Sequence, residues 1–98
     1  MVKHIIVWKL KPTESGQEQI KEGIKKGLEG LKDKIPGIVE IKVHTTGLDS
    51  SNFDLMLDST FVDEAALKGY TIHPEHVAVA TRDVRPNVEI RACFDYEI

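Results

Sequence analysis

The segment from residue 3 to residue 11 has apolar side chains at both even and odd positions, and this constrains the fold more than any other feature. Its apolar residues are mostly β-branched, which favours an extended strand. Because successive side chains of a strand point to opposite faces of a sheet, Ile6 and Trp8 would lie on one face and Ile5 and Val7 on the other. A sheet built on this strand therefore needs a covering layer on each side.

A helical repeat replaces this alternation after Glu14. Apolar residues at intervals of three or four positions form one stripe of an amphipathic helix. Gly27 lies on the same stripe, where its missing side chain would leave space or allow another element to approach closely. Pro36 and Gly37 end the predicted helix. The apolar stripe consists of Ile20, Ile24, Leu28, Leu31 and Ile35.

The remaining pattern predicts three more strands and two short helices. Strands are expected over residues 38–46 and 53–58 and after Pro86. Asp63 would open one short helix, and Pro74 would be the first residue of another. This order predicts one ferredoxin-like α+β domain over residues 1–98, with a four-stranded antiparallel sheet and helices on one face.

The sheet face that the helices leave uncovered is expected to carry apolar and charged residues together. Uniform alternation along the last strand would place Cys93 on this face and Phe94 under the helices. A second copy related by a twofold axis could cover such a face, so that two sheets pair into a dimeric α/β barrel. The alternative is a monomer whose antiparallel sheet is wet on one side.

The charge of the chain disfavours some classes of partner, and its cysteine content bears on the compartment in which it works. The net charge is −3 and the isoelectric point is about 5.8, which disfavours binding to nucleic acid or to an anionic membrane. A single cysteine, Cys93, excludes an internal disulfide, and the charged N-terminal segment does not resemble a signal peptide. We therefore expect a cytoplasmic protein.

Several segments resemble the stress-responsive dimeric α/β-barrel (Dabb) domain. They are residues 2–11, residues 35–38, residues 53–57 and, most specifically, the run from Tyr70 to His76 with the pattern Tyr-x-x-His-Pro-x-His. The resemblance covers essentially the whole chain and implies a homodimer whose two sheets form a barrel. The family includes stress-induced proteins of unassigned activity as well as a plant polyketide cyclase.

The resemblance also implies a site. Tyr70 and His76 resemble the acid–base pair of the cyclase, and His4 resembles a further pocket residue. Leu28 and Leu55 stand where the cyclase has a tyrosine and a histidine, so the same substrate is not expected. The implied function is chemistry without a cofactor on a small carbonyl compound.

The residues themselves support this assignment. A histidine near a helix N-terminus is kept neutral by the helix dipole, so His76 could accept a proton. Tyr70 ends the preceding helix, and a short linker could fold its phenol back toward His76. His4 would approach from the sheet. The other predicted substrate contacts are Trp8, Leu28, Leu55, His73 and Phe94.

Other interpretations of the same residues remain open. In a non-catalytic stress-response or ligand-binding dimer, His73 would serve only as a helix N-cap and Tyr70 only as a core aromatic. We expect no metal site, because His73 and His76 lack a third ligand nearby. Cys93 is expected to be unreactive. A cation on the carbonyls of residues 35–38 and a cofactor-free oxygenase activity are also left open.

Overall fold

The computed structural model describes all 98 residues and contains the strands and helices in the predicted order. The sheet is antiparallel with strand order β2-β3-β1-β4, which confirms the ferredoxin-like α+β class. None of the helices combines the length and apolar character that crossing a membrane requires. The elements are β1 Val2–Leu10, α1 Glu18–Glu29, β2 Ile38–His44, β3 Leu55–Phe61, α2 Glu64–Ile72, α3 Pro74–Val79 and β4 Val88–Glu97.

The core lies between one face of the sheet and the helices. Ile6 and Trp8 of β1 are buried there, as predicted, against the apolar stripe of α1 that contains Ile24 and Leu28. Burying a side chain of this size stabilises the fold by about 1.5–3 kcal/mol. Ile5 and Val7 on the opposite face stay partly exposed in the single chain.

The first helix is shorter at both ends than predicted, because α1 ends at Glu29 and residues Gly30–Asp33 continue as a 3-10 turn before Pro36. Gly16 has a φ of +84°, which is outside the helical region, and α1 begins only at Glu18. The prediction for Gly27 is confirmed, because a Cβ atom there would be 2.8 Å from a side-chain atom of Val79 and of Asp83. The absent side chain lets α1 pack closely against α3 and the turn that follows it.

Between α3 and β4 the chain forms two irregular turns. Residues Ala80–Val84 form a π-helical turn and residues Arg85–Asn87 form a 3-10 turn. The Asn87 side chain ties the two turns together by donating a hydrogen bond to the carbonyl of Asp83 over 2.9 Å. These turns carry side chains under the sheet that no regular helix would have placed there.

A β-bulge at the start of β4 reverses the predicted faces of that strand. Val88 lies opposite Leu10 and Ile90 lies opposite Lys9, so Glu89 is an extra residue between them. Because side chains alternate along a strand, one extra residue moves every later side chain to the other face. The uniform alternation predicted for β4 is therefore wrong after the bulge.

This reversal corrects two residue assignments. Phe94, predicted to lie under the helices, pairs with Ile5 on the open face and is 70% exposed. Cys93, predicted on the open face, pairs with Ile6 on the helix side. The open face is consequently more apolar than predicted. Its apolar residues are Ile5, Val7, Met56, Ile90, Ala92, Phe94 and Tyr96.

Candidate functional site

A cavity of about 440 Å³ lies between the helix-covered face of the sheet and the chain that runs from α2 to the start of β4. This volume is within the range of small-molecule sites. Five of the predicted site residues line it: His4, Trp8, Leu28, Tyr70 and His76. The other lining residues are Ile6, Leu57, Thr71, Ala80, Val84, Arg85, Val88 and Arg91.

Three predicted substrate contacts do not line this cavity. Leu55 is buried in the core, but the next inward residue of β3, Leu57, lines the cavity instead. Phe94 is on the opposite face of the sheet because of the bulge. His73 is the N-cap of α3, where its Nδ1 accepts a hydrogen bond from the Glu75 backbone over 3.1 Å.

The turn between α2 and α3 brings Tyr70 and His76 together. The Asp63 side chain caps the start of α2, and His73 both ends α2 and caps α3, so the two helices meet at one residue. The Tyr70 and His76 ring centroids are 4.3 Å apart with an interplanar angle of 38°. The rings are therefore in contact in a tilted arrangement, without a hydrogen bond between them. The expectation that Tyr70 ends its helix is wrong, because α2 continues to Ile72 and His73 alone links the two helices.

The Tyr70 hydroxyl is buried without a hydrogen-bond partner in the protein. The residue is 1% exposed, and burial raises the pKa of its phenol far above the ordinary value. The phenol therefore stays protonated at neutral pH and can donate a hydrogen bond. A buried polar group without a partner costs about 1–3 kcal/mol, so this hydroxyl has to be explained.

His76 is held in a defined tautomer. Its Nδ1 lies 3.2 Å from the Thr71 carbonyl, which can only accept, so Nδ1 carries the proton. In the neutral ring Nε2 then has a free lone pair. Burial lowers the pKa of His76, and the neighbouring positive groups Arg85 and Arg91 lower it further. The direction of this shift favours the neutral imidazole, and burial is its main cause.

His4 belongs to a polar cluster that the sequence analysis missed. Its Nδ1 donates to the Asp95 carboxylate over 2.5 Å, and the Cys93 thiol donates to the same oxygen over 3.4 Å. Burial and the nearby Asp95 raise the pKa of the Cys93 thiol. Uniform alternation along β4 would place Asp95, like Cys93, on the open face, and the bulge brings it opposite His4. The ligand atoms of these three residues lie within 4.8 Å of one another.

Two arginines in the cavity wall were also missed. Arg91 reaches the cavity because β4 is reversed, and Arg85 because the 3-10 turn follows a π-helical turn. No aspartate or glutamate lines the cavity. The cavity thus combines an apolar wall, a buried phenol, a neutral imidazole and two guanidinium groups.

The model of one protein family matches almost the whole chain. The model of the stress responsive A/B barrel domain matches residues 2–98. A dimeric protein of unknown function with a ferredoxin-like fold from Bacteroides fragilis is 32% identical, with 99% of this chain and 95% of that chain covered and a TM-score of 0.90. No curated protein matches the sequence.

Two further solved structures, at lower identity, share the fold. A dimeric ferredoxin-like protein of unknown function from Thermobifida fusca is 21% identical, covers 99% of this chain and 90% of its own, and has a TM-score of 0.77. A hydroxynitrile lyase from Passiflora edulis is also 21% identical, covers 99% and 92%, and has a TM-score of 0.73. At this identity the likeness concerns the fold alone.

Proposed function

Because the chain belongs to the family of the stress responsive A/B barrel (Dabb) domain, we propose that it forms a homodimer whose protomers each act on a small carbonyl compound by acid–base chemistry without a cofactor. The observation that carries this proposal is the buried Tyr70 hydroxyl, which has no hydrogen-bond partner in the protein and belongs to a residue that lines a cavity together with His76. A ligand carbonyl would supply the missing acceptor. Family membership alone would not decide the chemistry.

The two side chains have complementary roles in this chemistry. Nε2 of His76 takes a proton from the carbon next to the carbonyl, and the electron pair of that C–H bond moves to give an enolate. The Tyr70 hydroxyl donates a hydrogen bond to the enolate oxygen, where negative charge develops. Return of the proton to another atom completes an isomerisation. In a cyclisation the enolate carbon attacks a second carbonyl, whose π electrons move to its oxygen, and that oxygen takes the proton back from Nε2 of His76.

The environment of the pair suits these roles. A general base works best when its pKa is close to the working pH, which balances the population of the unprotonated form against its basicity. Burial and the two arginines keep His76 neutral, and burial keeps Tyr70 protonated. His4, whose Nδ1–H is fixed on Asp95, provides a second imidazole with Nε2 unprotonated in its neutral form.

Exchange of a ketone with heavy water tests the proposed reaction. Proton NMR follows loss of the α-proton signal of 2-hexanone in D₂O with wild type, Tyr70→Phe, His76→Gln and the control His44→Gln. His44 is exposed on β2 and does not line the cavity. We expect exchange with wild type and His44→Gln, and a loss of about tenfold or more in each of the other two. Equal rates in all four proteins would refute the assignment.

The open sheet face supports the homodimer. Its apolar residues include Phe94 and Tyr96, whose rings are 5.9 Å apart and exposed to solvent in a single chain. The relative from Bacteroides fragilis is described as dimeric. Light scattering should give about twice the chain mass for wild type and the chain mass for Phe94→Asp, because a carboxylate cannot be buried between apolar faces. A wild-type protein that stays monomeric at micromolar concentration would contradict the homodimer.

A non-catalytic ligand-binding or stress-response dimer is the second candidate. It is favoured by the hydrogen bonds that His73 and His76 make to the backbone around the α2–α3 turn, since these bonds alone would explain both histidines. In that case the cavity would bind 2-hexanone without exchange in any variant. The NMR experiment therefore distinguishes the two candidates.

A further inference from the structure

We propose that the cavity selects small organic acids, and that Arg85 and Arg91 bind the ligand carboxylate while the ligand carbonyl reaches Tyr70. This inference deepens the proposed function, on which it rests, by naming the class of substrate. Nothing in the family match or in the related structures assigns a role to either arginine.

The charge of the cavity wall differs from that of the whole chain. The chain has 16 acidic and 13 basic residues, yet the cavity wall contains two arginines and no carboxylate. Only three arginines occur in the sequence, and two of them line this cavity, whereas none of the ten lysines does. Arginine is the side chain whose planar group matches a carboxylate with two parallel hydrogen bonds.

Neither cavity arginine is paired with a carboxylate of the chain. None of the ion pairs involves Arg85 or Arg91, although Arg91 interacts with the Cys93 thiol. By contrast, the third arginine, Arg82, is paired with Asp83 over 2.8 Å and lies outside the cavity wall. The guanidinium groups of Arg85 and Arg91 are therefore available to a ligand.

The positions of the polar groups define the shape of the ligand. Tyr70 is 1% exposed, whereas Arg85 and Arg91, which line the same cavity, are exposed to solvent. The wall also includes the apolar side chains of Trp8 and Leu28. A matching ligand has a carboxylate at one end, a carbonyl at the other and an apolar segment between them.

The arginines also act on the reaction centre. Both lower the pKa of His76, so their positive field reaches the base. The same field would stabilise the negative charge of an enolate formed beside it. Arg85 and Arg91 would thus contribute both to substrate selection and to catalysis.

Binding of hexanoate and hexanamide tests the inference without requiring turnover. The two ligands are similar in size and differ in charge, and neither absorbs where tryptophan does. Trp8 is the only tryptophan, is 3% exposed and lines the cavity, so its fluorescence reports occupancy. Calorimetry repeats each titration. We expect wild type to bind hexanoate at least about tenfold more tightly than hexanamide, as is typical of charge-assisted hydrogen bonds.

Variants locate the source of this preference. Arg85→Gln and Arg91→Gln should each weaken hexanoate binding by about tenfold and leave hexanamide binding unchanged. The matched control Arg82→Gln should leave both unchanged. Inorganic phosphate should displace hexanoate only weakly, because it cannot contact the apolar wall.

Three outcomes would overturn the inference: equal affinity of wild type for both ligands, an equal loss in Arg82→Gln, or displacement by phosphate as effective as by hexanoate itself. Its failure is distinguishable from failure of the proposed function, because 2-hexanone exchange uses a neutral ligand. If wild type exchanges 2-hexanone but binds hexanoate and hexanamide equally, only the proposed carboxylate site is refuted. If wild type prefers hexanoate but does not exchange 2-hexanone, only the proposed chemistry is refuted.

Discussion

Removing the Tyr70 hydroxyl should stabilise the fold. The oxygen is buried without a hydrogen-bond partner, and burying such a group costs about 1–3 kcal/mol. Tyr70→Phe keeps the ring and its contacts with His76 and Phe61, whose centroids lie 4.3 and 4.9 Å away. The variant therefore avoids the free-energy cost of the unsatisfied hydroxyl and retains the packing of the ring.

The expected gain can be measured by calorimetry. For a domain of this size, 1 kcal/mol shifts the melting temperature by about 4–8 °C, so Tyr70→Phe should melt at least about 4 °C above wild type. Protein concentration has to be held fixed, because melting of a dimer depends on it. Tyr96→Phe is the comparison variant, since Tyr96 is the other tyrosine, lies on the proposed dimer face and is exposed in a single chain; loss of its hydroxyl should not give this gain.

A lower melting temperature for Tyr70→Phe would refute this reasoning. It would mean that the hydroxyl makes a stabilising hydrogen bond in the folded protein, for example through an ordered water. A more stable variant that no longer catalyses exchange would show that the fold tolerates an unsatisfied group in order to bind a ligand.

Three further predictions concern stability. Gly27→Ala should destabilise the fold by about 1–3 kcal/mol in urea unfolding, because its Cβ would clash at 2.8 Å, whereas Gly23→Ala, with open space, should stabilise it by up to about 1 kcal/mol. His73→Ala should lower the melting temperature by about 4–8 °C through loss of a cap worth about 1 kcal/mol. His76 has a lowered pKa in the folded state, so its contribution is complete above the unfolded value of 6.5 and is lost as pH falls below it. Urea titrations between pH 5 and 7.5 should show this loss in wild type and not in His76→Gln, and the exchange rate should fall with an apparent pKa below 6.5.

Much of the fold could be predicted from sequence because local patterns and topology agree. Alternation identified the strands, and the spacing of the apolar residues identified α1. Asp63 and Pro74 identified the starts of the two short helices, and the few residues between Tyr70 and Pro74 were enough to expect Tyr70 near His76. These are properties of consecutive residues, which periodicity and capping rules describe well.

The part of the site contributed by β4 could not be predicted in this way. A bulge has no periodic signal, and the error of one residue at Glu89 placed Phe94 in the site and removed Arg91 and Asp95 from it. The π-helical turn before Arg85 likewise departs from the helical repeat, so the cavity wall could not be extended through it. Irregular backbone therefore accounts for most of the missed residues.

As the extra residue of the bulge, Glu89 determines which side chains of β4 lie under the helices and which lie on the open face. Deleting this one residue would turn Phe94 and Tyr96 toward the helices and move Arg91 and Asp95 to the open face. The proposed dimer contact and the proposed carboxylate site would then be lost together. Insertions and deletions at this turn should accordingly be far more damaging than any substitution there.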